Sequence, residues 1–313
     1  MAALISKVGL SVQQVARILC TVPVGERIPT VSDLVEMSGA SRGNVQKALE
    51  YLKESGVVRL QSHGHQGTNL LEIDHVAIAR VCGINHLVGA MPLPYTRRYE
   101  GLATGLYTLL NEGELKAYIS FMRGSEARVQ SLMEGLASFC VMSSLAYGDY
   151  VRRGTDFTCV MSLGPRSYVG RHVLICADGS RRDWNGARVG IDYSSADQRE
   201  LTERYFARWD VEYVPVQYTQ IVEMLRTGYL DVGIWNEDDL GVSECGLATI
   251  PLTAAQGESG DEGFLAFEED TTAVIVTRGD DPLVGHILQE SIDVARLADI
   301  QNEVMSGRIP ARY

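Results

Sequence analysis

What the chain lacks narrows it first. None of its six cysteines, Cys20, Cys82, Cys140, Cys159, Cys176 and Cys245, stands in CxxC spacing, and they are scattered along 313 residues. With apolar runs such as 139–142 and 173–177 around them, buried free thiols fit better than a zinc site or a disulfide framework. No GxSxG, GxxxxGK[ST], HExxH or GxGxxG pattern occurs, and six histidines leave few general bases. No catalytic residue, metal site or cofactor is therefore assigned. No apolar run reaches the 18 residues of a membrane span, and residues 1–5 lead at once to Lys7 without the apolar core of a secretory signal. The expectation is a cytoplasmic protein without a membrane partner. Basic residues are also in deficit, 28 against 40 acidic for a net charge of -12. A surface coated to bind nucleic acid is excluded, but a small DNA-reading module is not. What remains is a globular chain, 45% hydrophobic and long enough for two domains.

Residues 10–73 read as three short helices and a hairpin. Val12, Val15, Ala16 and Leu19 share one face of the first helix. Thr30 and Asp33 have capping-box spacing before a second helix with Leu34, Val35 and Met37 as its apolar positions. Gly39-Ala40 breaks the chain, and Ser41 is placed to cap a third helix over 42–54 whose Val45, Ala48, Leu49 and Leu52 recur at steps of three and four. Gly56 ends it. Strands at 57–60 and 69–73 follow, joined by a polar, glycine-rich loop. The pattern is a winged helix-turn-helix over residues 1–75. Its outward side chains that can donate to phosphates and base edges are Ser41, Arg42, Asn44, Gln46 and Lys47, with Arg59, His63 and His65 on the wing. No Asp, Glu or Cys accompanies the two wing histidines, so they are read as wing contacts, not metal ligands. Residues 1–75 hold seven basic and seven acidic side chains, so the whole acidic excess falls on the rest of the chain. A neutral module grips a phosphate backbone weakly, and a homodimer presenting two of them is the natural remedy.

From residue 76 the chain alternates short apolar strands with amphipathic helices, which predicts an α/β domain of two lobes with mostly parallel sheets. Lobe 1 is expected over about 84–160 and 248–313, with strands at 86–91, 117–121 and 139–142 and one long last helix over 283–304. Lobe 2 is expected over about 165–247, with strands at 188–192, 211–214 and 231–235. Two crossings, near 157–164 and 247–260, would make a hinge. Open parallel sheets bind ligands at strand carboxyl ends beside helix N-termini. The candidates there are Pro94, Tyr95, Thr96, Arg98, Arg123, Ser125, Ser143 and Ser144 from one lobe, with Pro92 and Gly124 beside them. Tyr193, Ser194, Ser195, Gln217, Tyr218, Trp235 and Asn236 come from the other, and Arg166 and Ser167 lie beyond the hinge with Gly164. Arginine beside a helix start favours an anion, so the expected effector is a small anionic metabolite. His172 and His286 are read as surface or packed histidines, Asp238-Asp239 as a solvated acidic loop, and the stretch 257–263 as a surface loop without EF-hand offsets.

Residues 30–60, with Ser41-Arg42-Gly43-Asn44-Val45-Gln46-Lys47-Ala48-Leu49 and Leu52-Lys53-Glu54-Ser55-Gly56, resemble the winged helix of GntR-type transcription regulators. The whole chain resembles the YhfZ family, in which that module precedes a domain similar to type 2 periplasmic binding proteins. The resemblance implies a cytoplasmic, dimeric, ligand-responsive regulator that reads a double-stranded DNA operator, and it carries over no catalytic residue. One departure is the light positive charge of the third helix, where Gly43 and Asn44 stand in place of the arginine common in GntR-like helices. Two other classes fit parts of the sequence: an enzyme transforming a metabolite in the two-lobed cleft, and a constitutive DNA-binding or scaffolding protein.

Overall fold

The computed structural model describes residues 6–238, 245–252 and 268–313. Its amino-terminal part follows the local signals closely. Helix α1 (Lys7–Leu19) is capped by Ser6 and buries Val12, Val15, Ala16 and Leu19. Helix α2 (Val31–Ser38) opens on a complete Thr30/Asp33 capping box and stops at Gly39, whose φ of 65° is the left-handed conformation that glycine adopts without strain. Its Leu34 is buried, but Met37 is 57% exposed, because an eight-residue helix at this angle turns only one side inward. Helix α3 (Arg42–Glu54) is capped by Ser41 and buries Val45, Ala48 and Leu52. The hairpin pairs β1 (Val58–Ser62) with β2 (Thr68–Ile73), with a single 3₁₀ turn at Gly64–Gln66 between them. Segment 25–28 joins this hairpin: Gly25 and Ile28 donate to the carbonyls of Leu70 and Thr68, and Leu70 donates to Glu26. The wing is thus braced from its outer edge.

Helix α4 (His75–Val81), which the sequence pattern does not announce, starts on an Asp74 cap. Its seven residues are too few to show a period, and it forms because it is buried between α1 and the carboxy-terminal domain. One continuous apolar core runs from Leu19 and Leu52 through Ile78 to Leu102, Leu283 and Ile287.

The first lobe contains β3 (His86–Met91), α5 (Arg97–Glu112), β4 (Lys116–Phe121), α6 (Ser125–Met133), β5 (Phe139–Ser143), α7 (Ser144–Arg152) and β6 (Phe157–Ser162). The second contains β7 (His172–Cys176), β8 (Arg188–Ile191), α8 (Ala196–Phe206), β9 (Glu212–Pro215), α9 (Ile221–Arg226), β10 (Val232–Asn236) and β11 (Ala248–Pro251). The chain returns through a helical turn at Glu268–Thr271 to β12 (Ala273–Arg278), α10 (Pro282–Ser291) and α11 (Val294–Met305). The sheet orders are β4-β3-β5-β12-β6 and β11-β7-β10-β8-β9. Within the first sheet only β12 runs against its neighbours, and within the second only β7. The reversed strand in each lobe is the one entered from a crossing, so the sheets are mixed but mostly parallel.

Three expectations are corrected. Strand β11 pairs with β7 and belongs to the second lobe, so residues 248–251 are not part of the first. The single long last helix is two, because Ile292 leaves helical geometry and Asp293 caps a new start by accepting from the amides of Ala295 and Arg296. The break lets α11 fold back along α5, where Gly101 lets the helices approach: a Cβ there would lie 2.7 Å from the Gln301 carbonyl oxygen. The cysteines are free, but only Cys20, Cys140 and Cys176 are buried, and Cys159 is exposed on a sheet-edge strand.

The two crossings are laced together. Leu163 donates to Ala273 O, Tyr168 to Thr271 O, and Ala273 to the Ser167 hydroxyl. His172 Nδ1 lies 2.6 Å from Asp270 Oδ2, and both side chains are buried. The stretch 257–263 lies outside the described residues.

Candidate functional site

The lobes meet through the ends of their parallel strands, as the open-sheet rule requires. Arg123 donates to Gln217 Oε1 at 2.6 Å, the amide of Ala196 donates to Ser125 Oγ, and the Ser143 hydroxyl donates to Asp197. Arg199 reaches Asp149 at 2.8 Å on the outer flank of the same seam. Gly124 leaves room for the opposite lobe, since a Cβ on it would sit 2.8 Å from Ser194 O. Between these contacts is a cleft of about 70 Å³, space for a handful of water-sized groups.

Its wall brings together Tyr95, Arg123, Ser125, Ser195, Tyr218 and Asn236 of the expected set, with Pro92 and Gly124. Other candidates are used elsewhere. Thr96 caps α5 by accepting from Tyr99 N, and Ser143 caps α7 while bonding Asp197. Arg98 is engaged with Asp238, which corrects the reading of that aspartate as solvated; Asp239 lies outside the described residues. Ser167 bonds Gly164 O and Ala273 N in the hinge. Ser194 donates to Asp192, and Tyr193 and Arg166 face solvent. Pro94 and Ser144 are half-buried outside the wall. Gln217 bridges the mouth through Arg123. Trp235 is a floor for Tyr218, with rings stacked 4.2 Å apart and 5° from parallel.

Other buried residues of the wall are ones the sequence reading did not select, among them Tyr99, Arg128, Tyr168, His172, Asp192, Asp197 and Gln198. Arg128 is 3% exposed, donating to Met122 O and to the Tyr168 hydroxyl, both at 3.2 Å. Burial opposes its charge, but Tyr168, Cys140, Tyr99 and Asp197 more than offset that. Among the described residues its Nε has no partner, and neither does Asn236 Nδ2, although Asn236 Oδ1 accepts from Asp238 N. Unpaired buried donors are costly, and these two belong to residues that line the cleft. Burial pushes the carboxyl of Asp197 up to about 6, against the lowering effects of Ser143, His172 and Arg128. A signal for Arg128 and Asp197 does exist in the sequence: each stands at core-facing helical spacing, Arg128 with Ser125 and Leu132, Asp197 with Leu201.

On the amino-terminal module, Arg42, Gln46, Lys47, His63 and His65 are exposed and Asn44 is half-exposed. Ser41 is spent on the helix cap, accepting from Asn44 N, and Arg59 is ion-paired with Glu72 across the hairpin. A groove between α3 and the wing is lined by Gln46, Lys53, Leu60 and Ser62. No cluster of metal-ligating side chains occurs among the described residues, and no helix there is long and apolar enough to cross a membrane.

A helix-turn-helix module joined to a two-lobed domain that resembles type 2 periplasmic binding proteins is the class this architecture defines. The chain belongs to the YhfZ family: residues 74–313 match the YhfZ C-terminal domain, and residues 23–70 match a helix-turn-helix domain. It is 36% identical to the YhfZ protein of Escherichia coli (strain K12) over 312 residues, 99% of this chain and 98% of that one. The crystal structure of YhfZ from Shigella flexneri superposes with a TM-score of 0.63 at 36% identity, covering 77% of this chain and 98% of that one. At 12% identity, the alkanesulfonate-binding protein SsuA from Xanthomonas axonopodis pv. citri, solved bound to MOPS, shares the fold with a TM-score of 0.52, over 72% of this chain and 75% of that one.

Proposed function

We infer that this chain is a ligand-responsive transcription regulator of GntR-like type: a cytoplasmic homodimer whose paired winged helices read a double-stranded DNA operator and whose two-lobed domain binds a small metabolite through an anionic group. The observation that carries the reading is the joint between the parts. Helix α4 packs on both α1 and α10, with Gln13 Nε2 donating to Val81 O at 3.1 Å and His75 Nδ1 lying 2.7 Å from Glu290 Oε1. With one apolar core running through that joint, movement of the first lobe is transmitted to the winged helix. The effector shifts operator affinity only as far as it binds one arrangement of the pair better than the other. On this reading the protein binds its metabolite without transforming it.

Selection of genomic fragments on the purified protein, followed by titration at two salt concentrations, tests the DNA role. A palindromic site bound far more tightly than scrambled DNA at both salts is expected. Weak binding erased by salt would remove the regulator reading.

A further inference from the structure

The charges inside the cleft go further than an anion site. Two carboxylates line it, Asp192 and Asp197. Asp192 is fully engaged: Oδ1 accepts from the amide and hydroxyl of Ser194, and Oδ2 from Tyr218 N at 2.7 Å. Asp197 has one oxygen on the Ser143 hydroxyl, and its other has no partner among the described residues. Among the described residues neither Asp197 nor Arg128 has an ion-pair partner, yet both line the same small cavity and each acts on the other's ionisation. A simple anion would satisfy Arg128 while facing an uncompensated carboxylate. A ligand with a cationic group a few bonds from its anionic one meets both. The surrounding rings favour this: Tyr95, Tyr99, Tyr168 and Tyr218 present aromatic surface, and an ammonium packs well on such faces.

We propose that the effector is an α-amino acid, its carboxylate held by Arg128 and Asn236 and its ammonium by Asp197 against the tyrosine wall. This rests on the metabolite-binding reading above and adds the ammonium site to it. It also gives closure a cause, because Arg128 belongs to the first lobe and Asp197 to the second. A zwitterion bridging them contributes to affinity only when the lobes meet.

The test uses the full-length protein and the standard amino acids in both enantiomers, by thermal shift and then calorimetry. Each hit is compared with its desamino carboxylic acid and its decarboxylated amine. The expected result is that at least one amino acid binds and that both truncated analogues bind at least about 100-fold more weakly, as a site built around specific polar groups rejects a ligand that lacks one. Asp197→Asn should weaken the amino acid while leaving the desamino acid unchanged or tighter, a change of selectivity that a purely structural role for Asp197 would not produce. A desamino acid that binds the parent protein as tightly as its amino acid overturns the proposal, and so does a panel without a hit. In either case, binding of succinate or inorganic phosphate that alters operator affinity would leave the regulator reading standing. If those probes are silent too, the metabolite-binding reading falls with the proposal.

Discussion

His172 Nδ1 lies 2.6 Å from Asp270 Oδ2, which joins the end of the first crossing between the lobes to the end of the second. The two residues are 98 positions apart in the chain. Asp270 Oδ1 has no partner among the described residues, so removing the imidazole strips this buried carboxylate of its remaining side-chain bond. His172→Ala should therefore destabilise the protein by about 3 kcal/mol, in the range for orphaning a buried charge. Denaturant unfolding of both single variants and the double variant with Asp270→Ala would show a coupling well above 1 kcal/mol; additive effects would mean that the two residues act independently.

Asp197 carries a stability cost that the ligand is proposed to relieve. Its carboxyl is raised from 3.8 to about 6 by burial. A group whose folded value exceeds its unfolded one contributes no penalty while both states are protonated. Its penalty grows as pH rises from about 4 to about 6 and is constant above that. Asp197→Asn, which keeps an acceptor for Ser143, should accordingly stabilise the ligand-free protein at pH 7 by about 3 kcal/mol and by nothing near pH 3.5. Urea unfolding of parent and variant at the two pH values measures this. An equal difference at both would disprove the burial argument.

Arg42 projects from the first turn of α3, its guanidinium 3.5 Å from the exposed hydroxyl of Ser32. Arg42→Ala should weaken operator binding by about 1–3 kcal/mol and leave thermal stability within about 0.5 kcal/mol of the parent. Fluorescence anisotropy on the selected site separates the two. Unchanged affinity would take Arg42 out of the interface.

Two glycines should respond in opposite ways. Gly101→Ala forces a methyl against the α11 backbone and should cost about 1–3 kcal/mol, lowering Tm by several degrees. Gly43→Ala in α3 meets no atom within 4 Å and should gain about 0.5–1 kcal/mol through helix propensity. Calorimetric scans of both variants test the α5–α11 packing and the α3 register together.

Local chemistry was enough to read the winged helix and most strands. Thr30 and Asp33 cap each other across three residues, Ser41 caps α3, and the spacing of Val45, Ala48 and Leu52 repeats within two turns. Such features are decided by neighbours in the chain, so the sequence alone determined them, along with the absence of CxxC spacing and of a membrane-length apolar run. Tertiary structure decided the rest. Helix α4 is too short to show a period and exists through burial between α1 and α10. Strand β11 carries nothing that names its lobe, which is fixed by pairing with β7, 72 residues earlier from Ala248 to Cys176.

The cleft shows the same division. Tyr95, Arg123, Ser125 and Asn236 were legible because they stand at strand ends beside helix starts. Arg128 and Asp197 showed only their core-facing helical spacing, and Tyr168 and His172 nothing, since their sequence neighbours look like ordinary core or solvent-facing positions. Their chemistry arises only when two lobes close and exclude water. A charge in a helix is cheap while solvated; enclosed by another lobe, it becomes a group that must be paired. That enclosure is a property of the assembled fold.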